Sequence, residues 1–127
     1  MNLNQITIGC VDYDASVAFY KALGLIQIVD SPPRYARFEC MDGGTTLSIH
    51  RVESTARASL NTMIYFEVAD VDQRVAELEQ AGLVFTSQPR DERWLWREAR
   101  LADPAGNPVC IYHAGENRRN PPWRLAD

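Results

Sequence analysis

His50, Glu67 and Cys110 are the side chains of this sequence whose types suit chemistry near neutral pH. Histidine changes charge near neutrality and a neighbouring carboxylate biases its proton, so His50 beside Glu67 or Glu39 would make an acid/base pair. Cys110 would act as a nucleophile if its surroundings stabilised the thiolate. The same residues allow a second chemistry, in which His50, Glu39 or Glu67, Cys110 and a water hold one divalent metal. The plainer reading of a single strand histidine is a hydrogen-bonded or titrating residue. His113, the other histidine, falls on the opposite strand parity at a strand end and reads as structural or exposed. Cys10, Cys40 and Cys110 are odd in number and far apart, which fits neither a disulfide framework nor a zinc motif and leaves buried free thiols.

The elements that would position these groups belong to a single domain spanning residues 1–127. At 46% hydrophobic, a chain of 127 residues carries enough apolar sequence for one core. No apolar run approaches the roughly 18 residues of a membrane span, and a basic-then-apolar leader is missing, so a cytoplasmic protein without membrane contact is expected. A net charge of −4 argues against a nucleic-acid partner. Arg90, Arg93, Arg97 and Arg100 do cluster, but Asp91, Glu92 and Glu98 dilute them.

The order of elements follows from an internal repeat. Residues 58 apart match: Ile6 with Ile64, Asp12 with Asp70, Asp14 with Asp72, Val17 with Val75, Ala18 with Ala76, Gly24 with Gly82 and Leu25 with Leu83. Two modules, about 3–53 and 61–113, each read as strand, helix and three strands, followed by a tail over 114–127. In the first, Gln5 to Cys10 is a strand. Asp12 or Asp14 caps a helix to about Ala22, with Val17, Ala18 and Tyr20 or Lys21 at helical spacing, and Gly24 closes it. Strands follow over Leu25 to Val29, Tyr35 to Met41 and Thr45 to Val52, with Ser31-Pro32-Pro33 as a break and Asp42-Gly43-Gly44 as a turn. Residues 53–60 are the linker. In the second module a strand from Met63 to Val68 precedes a helix that Asp70 and Gln73 open as a capping box and Gly82 ends, with Val71, Val75 and Leu78 buried. Leu83 to Thr86, Leu95 to Ala102 and Pro108 to His113 are the remaining strands. Asp103-Pro104-Ala105-Gly106-Asn107 reads as a type I turn feeding the last. The tail shows no clear element, and Trp123 either pins it to the body or leaves it loose.

Strand alternation sorts the side chains into two faces. Ile6, Ile8, Leu47, Ile49, Ile64, Phe66, Val68, Leu101, Val109 and Ile111 form the parity that helices would cover. The other parity carries Gln5, Thr7, Ser48, His50, Met63, Tyr65, Glu67, Trp96, Glu98, Arg100, Cys110 and Tyr112, joined by Arg37 and Glu39 or else Phe38. Such a face either meets water or a partner subunit, or lines a ligand pocket. Trp96, Tyr65, Met63 and Tyr112 on one parity favour the pocket, whose aromatic and mixed-charge lining suits a planar or amphipathic molecule.

The Asp-Pro-x-Gly-Asn turn before a final strand, together with the repeat, resembles the glyoxalase, bleomycin-resistance and extradiol-dioxygenase superfamily, the vicinal oxygen chelate proteins, over roughly residues 3–113. The resemblance implies an α+β fold of two tandem βαβββ modules forming a curved mixed sheet around a concave cavity, with helices outside. In metal-using members four side chains, from the first and fourth strands of each module, hold a divalent ion. Carried onto this chain, those positions are Gln5, Ser48, Met63 and Cys110, of which only Gln5 is a usual ligand; Ser48 can slip to His50 on the same face. The expectation is therefore a small-molecule binding protein with no metal cofactor, a homodimer as family members commonly are. The alternative is an isomerase, lyase or dioxygenase with one divalent metal at a relocated site, or a metal-free acid/base enzyme around His50.

Overall fold

A computed structural model describes residues 1–54 and 62–126; most of the expected linker lies outside the described residues. The first half runs β1 (Gln5–Cys10), α1 (Tyr13–Leu23), β2 (Ile26–Ser31), β3 (Tyr35–Glu39) and β4 (Thr46–Arg51). The second runs β5 (Ile64–Glu67), α2 (Val71–Gln80), β6 (Phe85–Asp91), β7 (Arg97–Ala102) and β8 (Pro108–His113). The strands form two four-stranded sheets of the same order, β1-β4-β3-β2 and β5-β8-β7-β6. In each, the first strand runs parallel to the fourth, Ile6 lying opposite Leu47 and Ile64 opposite Val109. The 58-residue repeat thus takes the form of equivalent positions in two sheets, and the α+β architecture of two βαβββ modules is the observed one.

The chain divides into two compact units, Met1–Thr62 with Ala102–Pro108, and Met63–Leu101 with Val109–Asp127. The turn between β7 and β8 therefore belongs with the first unit, a placement that the module boundary at residue 61 does not anticipate.

Both helices are opened and closed by the same local chemistry. Asp12 accepts from the Ala15 amide at 3.1 Å and Asp70 from that of Gln73 at 3.0 Å, each satisfying a donor that the first helical turn leaves unpaired. At the other ends Gly24 and Gly82 take φ of 110° and 97°, a region open to glycine without steric cost. The next amides, of Leu25 and Leu83, reach back to the Tyr20 and Leu78 carbonyls at 3.0 and 3.1 Å, as a Schellman closure requires. Only half of the expected capping box forms, because the Gln73 side-chain amide turns forward to Glu77 at 3.1 Å.

Three sequence expectations are corrected. The buried stripe of α1 is Tyr13, Ser16, Phe19, Tyr20 and Leu23, while Ala18 and Lys21 are exposed, because the helical period that buries Tyr20 places them on the outer side. The strand expected over Leu83 to Thr86 runs instead from Phe85 to Asp91: Leu83 is used in the helix closure, and Pro89 is tolerated because β6 is the edge of its sheet. The tail contains a short 3-10 helix, Gly115–Arg118, and Trp123 is 58% exposed, so the pinned arm is not formed. On α2, Val71, Val75 and Leu78 are buried as expected.

Candidate functional site

In the first unit the face away from the buried Ile8, Leu47 and Ile49 carries a chain of hydrogen bonds. Register pairs Arg37 with Ser48 and Phe38 with Leu47, which places Arg37 and Glu39 on the Ser48 face and Phe38 in the core. Gln5 Nε2 donates to Ser48 Oγ at 2.8 Å and more weakly to Thr7 Oγ1 at 3.3 Å, while its Oε1 accepts from the Thr46 hydroxyl. Ser48 Oγ lies 2.6 Å from Tyr35 Oη, and Arg37 Nε donates to the same phenol oxygen at 2.9 Å. The Ser48 hydrogen bond foremost, with Arg37 adding to it, lowers the Tyr35 phenol below its ordinary value. His50 is exposed, with Tyr35 across the ladder on one side and Gly9, which has no side chain, on the other. It opens onto a hollow of about 440 Å³ shared with Arg34, Arg51 and Glu53.

His50 and Glu39 do not form the expected acid/base pair. His50 pairs with Tyr35 and Glu39 with Thr46, four residues along the strands, or about 13 Å at the usual rise per residue.

In the second unit the corresponding face is aromatic. Trp96 stacks on Tyr112 with centroids 4.8 Å apart, and Tyr65 meets both edge-on at 5.8 and 5.5 Å. Met63 and Trp96 pack against a cluster of Cys110, Tyr112 and Ala114. Leu95, with φ of 68°, holds the β6–β7 turn from which Trp94 and Trp96 project. Trp94 Nε1 donates to the carboxylate of Glu98, which is only 2% exposed; Arg100 donates to that carboxylate at 3.1 Å, and the Cys110 thiol also donates to it, at 3.4 Å. The buried negative charge is thus compensated by three donors rather than left unpaired. Burial, and then the charge of Glu98, push the Cys110 thiol up to about 12, so the expected nucleophile stays protonated at neutral pH. Cys10 is also buried and Cys40 partly so.

Glu67 is occupied elsewhere. Its Oε2 accepts from the Ala114 and Gly115 amides at 2.8 and 3.0 Å, which ties the end of β5 to the start of the 3-10 helix, with Arg118 at 3.8 Å. His113 is exposed and lies 2.8 Å from the Val68 carbonyl through Nδ1, a structural position as its parity indicates. The clustered arginines are largely paired: Arg97 with Asp72 and Asp91, Arg90 with Glu92, Arg100 with Glu98.

The Asp-Pro-Ala-Gly-Asn turn is a structural node. Asp103 Oδ1 accepts from the Ala105 and Asn107 amides at 2.9 and 2.8 Å; Oδ2 accepts from Asn107 Nδ2 at 2.7 Å and from Tyr20 Oη at 2.6 Å. Asn107 Nδ2 also donates to the Gly9 carbonyl at 2.8 Å. A turn formed late in the chain is thereby locked to α1 and β1, which is why it belongs with the first unit.

The residues at the family's metal positions do not fit a divalent cation. Gln5 and Ser48 satisfy each other with neutral groups, Cys110 keeps its proton, and Met63 offers a thioether in an apolar cluster. Sequence pattern alone does not single out Tyr35 or Trp94 for this site, because each acquires its role from a partner outside its own strand or turn.

Fold order, register and turn chemistry together define a protein of the vicinal oxygen chelate class. Residues 2–111 match the model of the Glyoxalase/Bleomycin resistance protein/Dioxygenase superfamily, and the chain belongs to that family. It is 31% identical over 127 residues to the uncharacterized protein YraH of Bacillus subtilis (strain 168), covering 88% of this chain and 98% of that protein. Among solved structures it is similar to a glyoxalase/bleomycin resistance protein/dioxygenase from Nocardioides, with TM-score 0.75, 23% identity, and 99% of this chain and 90% of that one covered. It is also similar to a lactoylglutathione lyase from Agrobacterium tumefaciens, with TM-score 0.72, 20% identity and 98% and 97% coverage. A bleomycin-binding protein complexed with bleomycin matches with TM-score 0.70, 18% identity and 89% and 98% coverage. At these identities the structural matches establish the fold. Among the described residues no helix is long and apolar enough to cross a membrane.

Proposed function

We propose that this chain is a small-molecule binding protein of the glyoxalase/bleomycin-resistance fold that works without the family's divalent metal. The observation that carries the reading is the commitment of the metal-position side chains to other partners. A Gln5–Ser48 hydrogen bond and a protonated Cys110 beside Met63 leave no anionic donor at those positions. The bleomycin complex of a structural neighbour supports binding as a use of this fold. In the second unit the Tyr65–Trp96–Tyr112 group offers aromatic surface to a planar or amphipathic ligand, with Met63, Arg100 and Cys110 around it. In the first unit the residues that face the ligand are the exposed Gln5, Thr7 and His50, with Ser48 buried beneath them. Glu67 serves the tail rather than a ligand. In this reading the protein works in the cytoplasm, and it does so as a homodimer, by the habit of its family.

Exposed His50 beside Tyr35 favours a second reading, an enzyme built around His50. Metal analysis of protein purified without chelator, beside a His50→Ala variant, separates binding from a relocated metal site, and recovery of a bound ligand unaltered separates it from metal-free acid/base chemistry. The expected result is no stoichiometric metal in either. About one metal per chain in the native protein, lost in the variant, overturns the binding reading in favour of a relocated catalytic site.

A further inference from the structure

We propose that Tyr35 and Arg37 form an oxyanion-recognition pair on the open face of the first unit, so that the small molecule bound there presents a carboxylate, enolate or phenolate oxygen. This deepens the binding reading above and rests on it. The geometry begins at Ser48, whose hydroxyl accepts from Gln5 Nε2 at 2.8 Å and lies 2.6 Å from Tyr35 Oη; Ser48 is fully buried, so we assign its proton to the phenol oxygen, the acceptor it has at that distance. Arg37 Nε donates to that same oxygen at 2.9 Å. A phenol oxygen receiving two donors has its own O–H left to point away from both, and Tyr35 is only partly buried, so the proton is directed at whatever occupies the face. The two terminal nitrogens of Arg37 have no partner among the described residues, and the guanidinium lies over the Tyr35 ring at 5.5 Å. An anionic oxygen placed beside the phenol would meet an O–H donor and a guanidinium together, a charge-assisted arrangement.

The surroundings are consistent with this preference. Across the ladder on β4 stands His50, whose ring adds positive charge when protonated. On the other side β2 presents uncharged Ser31 opposite Tyr35, and the nearby Asp30 carboxylate is occupied by the Tyr13 hydroxyl. Glu39, the carboxylate on this side of β3, is four residues away. The same two donors that hold Tyr35 also lower its phenol below the ordinary value of 10, Ser48 contributing most. Binding needs the proton on Tyr35, so affinity for an anion is full at neutral pH and is lost as pH rises through this lowered value. A site that merely packed a ring would show no such alkaline loss.

The test uses benzoate and its neutral counterpart benzamide as probes, titrated by NMR into the full chain and into Tyr35→Phe and Arg37→Gln variants, with thermal melts to confirm folding. The expected result is benzoate tighter than benzamide by about tenfold at pH 7, as one charge-assisted hydrogen bond provides. The preference should weaken towards pH 10 in the native protein. Tyr35→Phe should remove the pH dependence and reduce the preference to the part that the Arg37 charge supplies, and Arg37→Gln should reduce the preference while leaving its pH dependence. Equal binding of the two probes by the native protein, or a benzoate preference that is undiminished or keeps its alkaline loss in folded Tyr35→Phe, overturns the assignment. Neither outcome touches the metal-free binding reading, whose own failure appears separately as stoichiometric metal.

Discussion

The two units are built on one plan and use it for opposite chemistries. Both sheets run first-fourth-third-second, both helices are capped by aspartate and closed by glycine, and in both the first strand lies parallel to the fourth. On the open face of the first unit, Gln5, Ser48, Tyr35 and Arg37 are joined by hydrogen bonds; on that of the second, Tyr65, Trp96 and Tyr112 are joined by ring contacts over a buried thiol. A repeated scaffold therefore constrains only its core parity and its caps, since those residues are needed for each module to fold. The opposite parity is released to diverge.

The largest expected break in the comparison lies in the turns between the last two strands of each half. Asp42 sits in an exposed hairpin, whereas Asp103 is buried and accepts four hydrogen bonds. Asp103→Ala strands several buried donors and should cost about 3 kcal/mol or more in urea unfolding, while Asp42→Ala should stay within about 0.5 kcal/mol. Equal effects would show that the two turns are equivalent after all.

A smaller effect separates the two faces by pH. The Cys110 thiol is raised from 9.0 to about 12 in the fold, so the unfolded chain releases this proton first. The folded state then binds more protons between those values, and stability is full below about 9 and falls as pH rises towards 12. Cys110→Ala should make that alkaline loss shallower in melts recorded across this range. An unchanged slope would place the loss on other groups, Tyr20 and Cys10 among them, whose protons are also held by burial.

The smallest expected effect tests the likeness itself. Asp12→Ala and Asp70→Ala each remove one cap and should each cost about 1 kcal/mol, equally within error. A marked inequality in thermal melts would mean that one helix depends on its tertiary contacts far more than its counterpart does.

Much of this molecule is legible in the order of its residues, and the reason is range. A cap satisfies an amide three residues on, a closing glycine needs only its own φ, and strand parity alternates by pleat; each acts within a few residues, so Asp12, Asp70, Gly24, Gly82 and most of the apolar set read correctly from order alone, with Ile6, Phe66 and Val68 only half-buried. The 58-residue repeat carries that local reading to the whole fold. What the tertiary structure decides is every role that depends on a distant partner. Tyr20 and Asp103 meet across 83 residues, Gly9 and Asn107 across 98, and Glu67 finds the tail 47 residues on. No pattern in the neighbourhood of these residues announces such pairings, because a hydrogen bond is specified by where two backbones are brought, not by the spacing between them. Parity alone sets His50 beside Glu39, and register places Tyr35 there instead: parity names the face a side chain occupies, and only the ladder decides which residue stands opposite it.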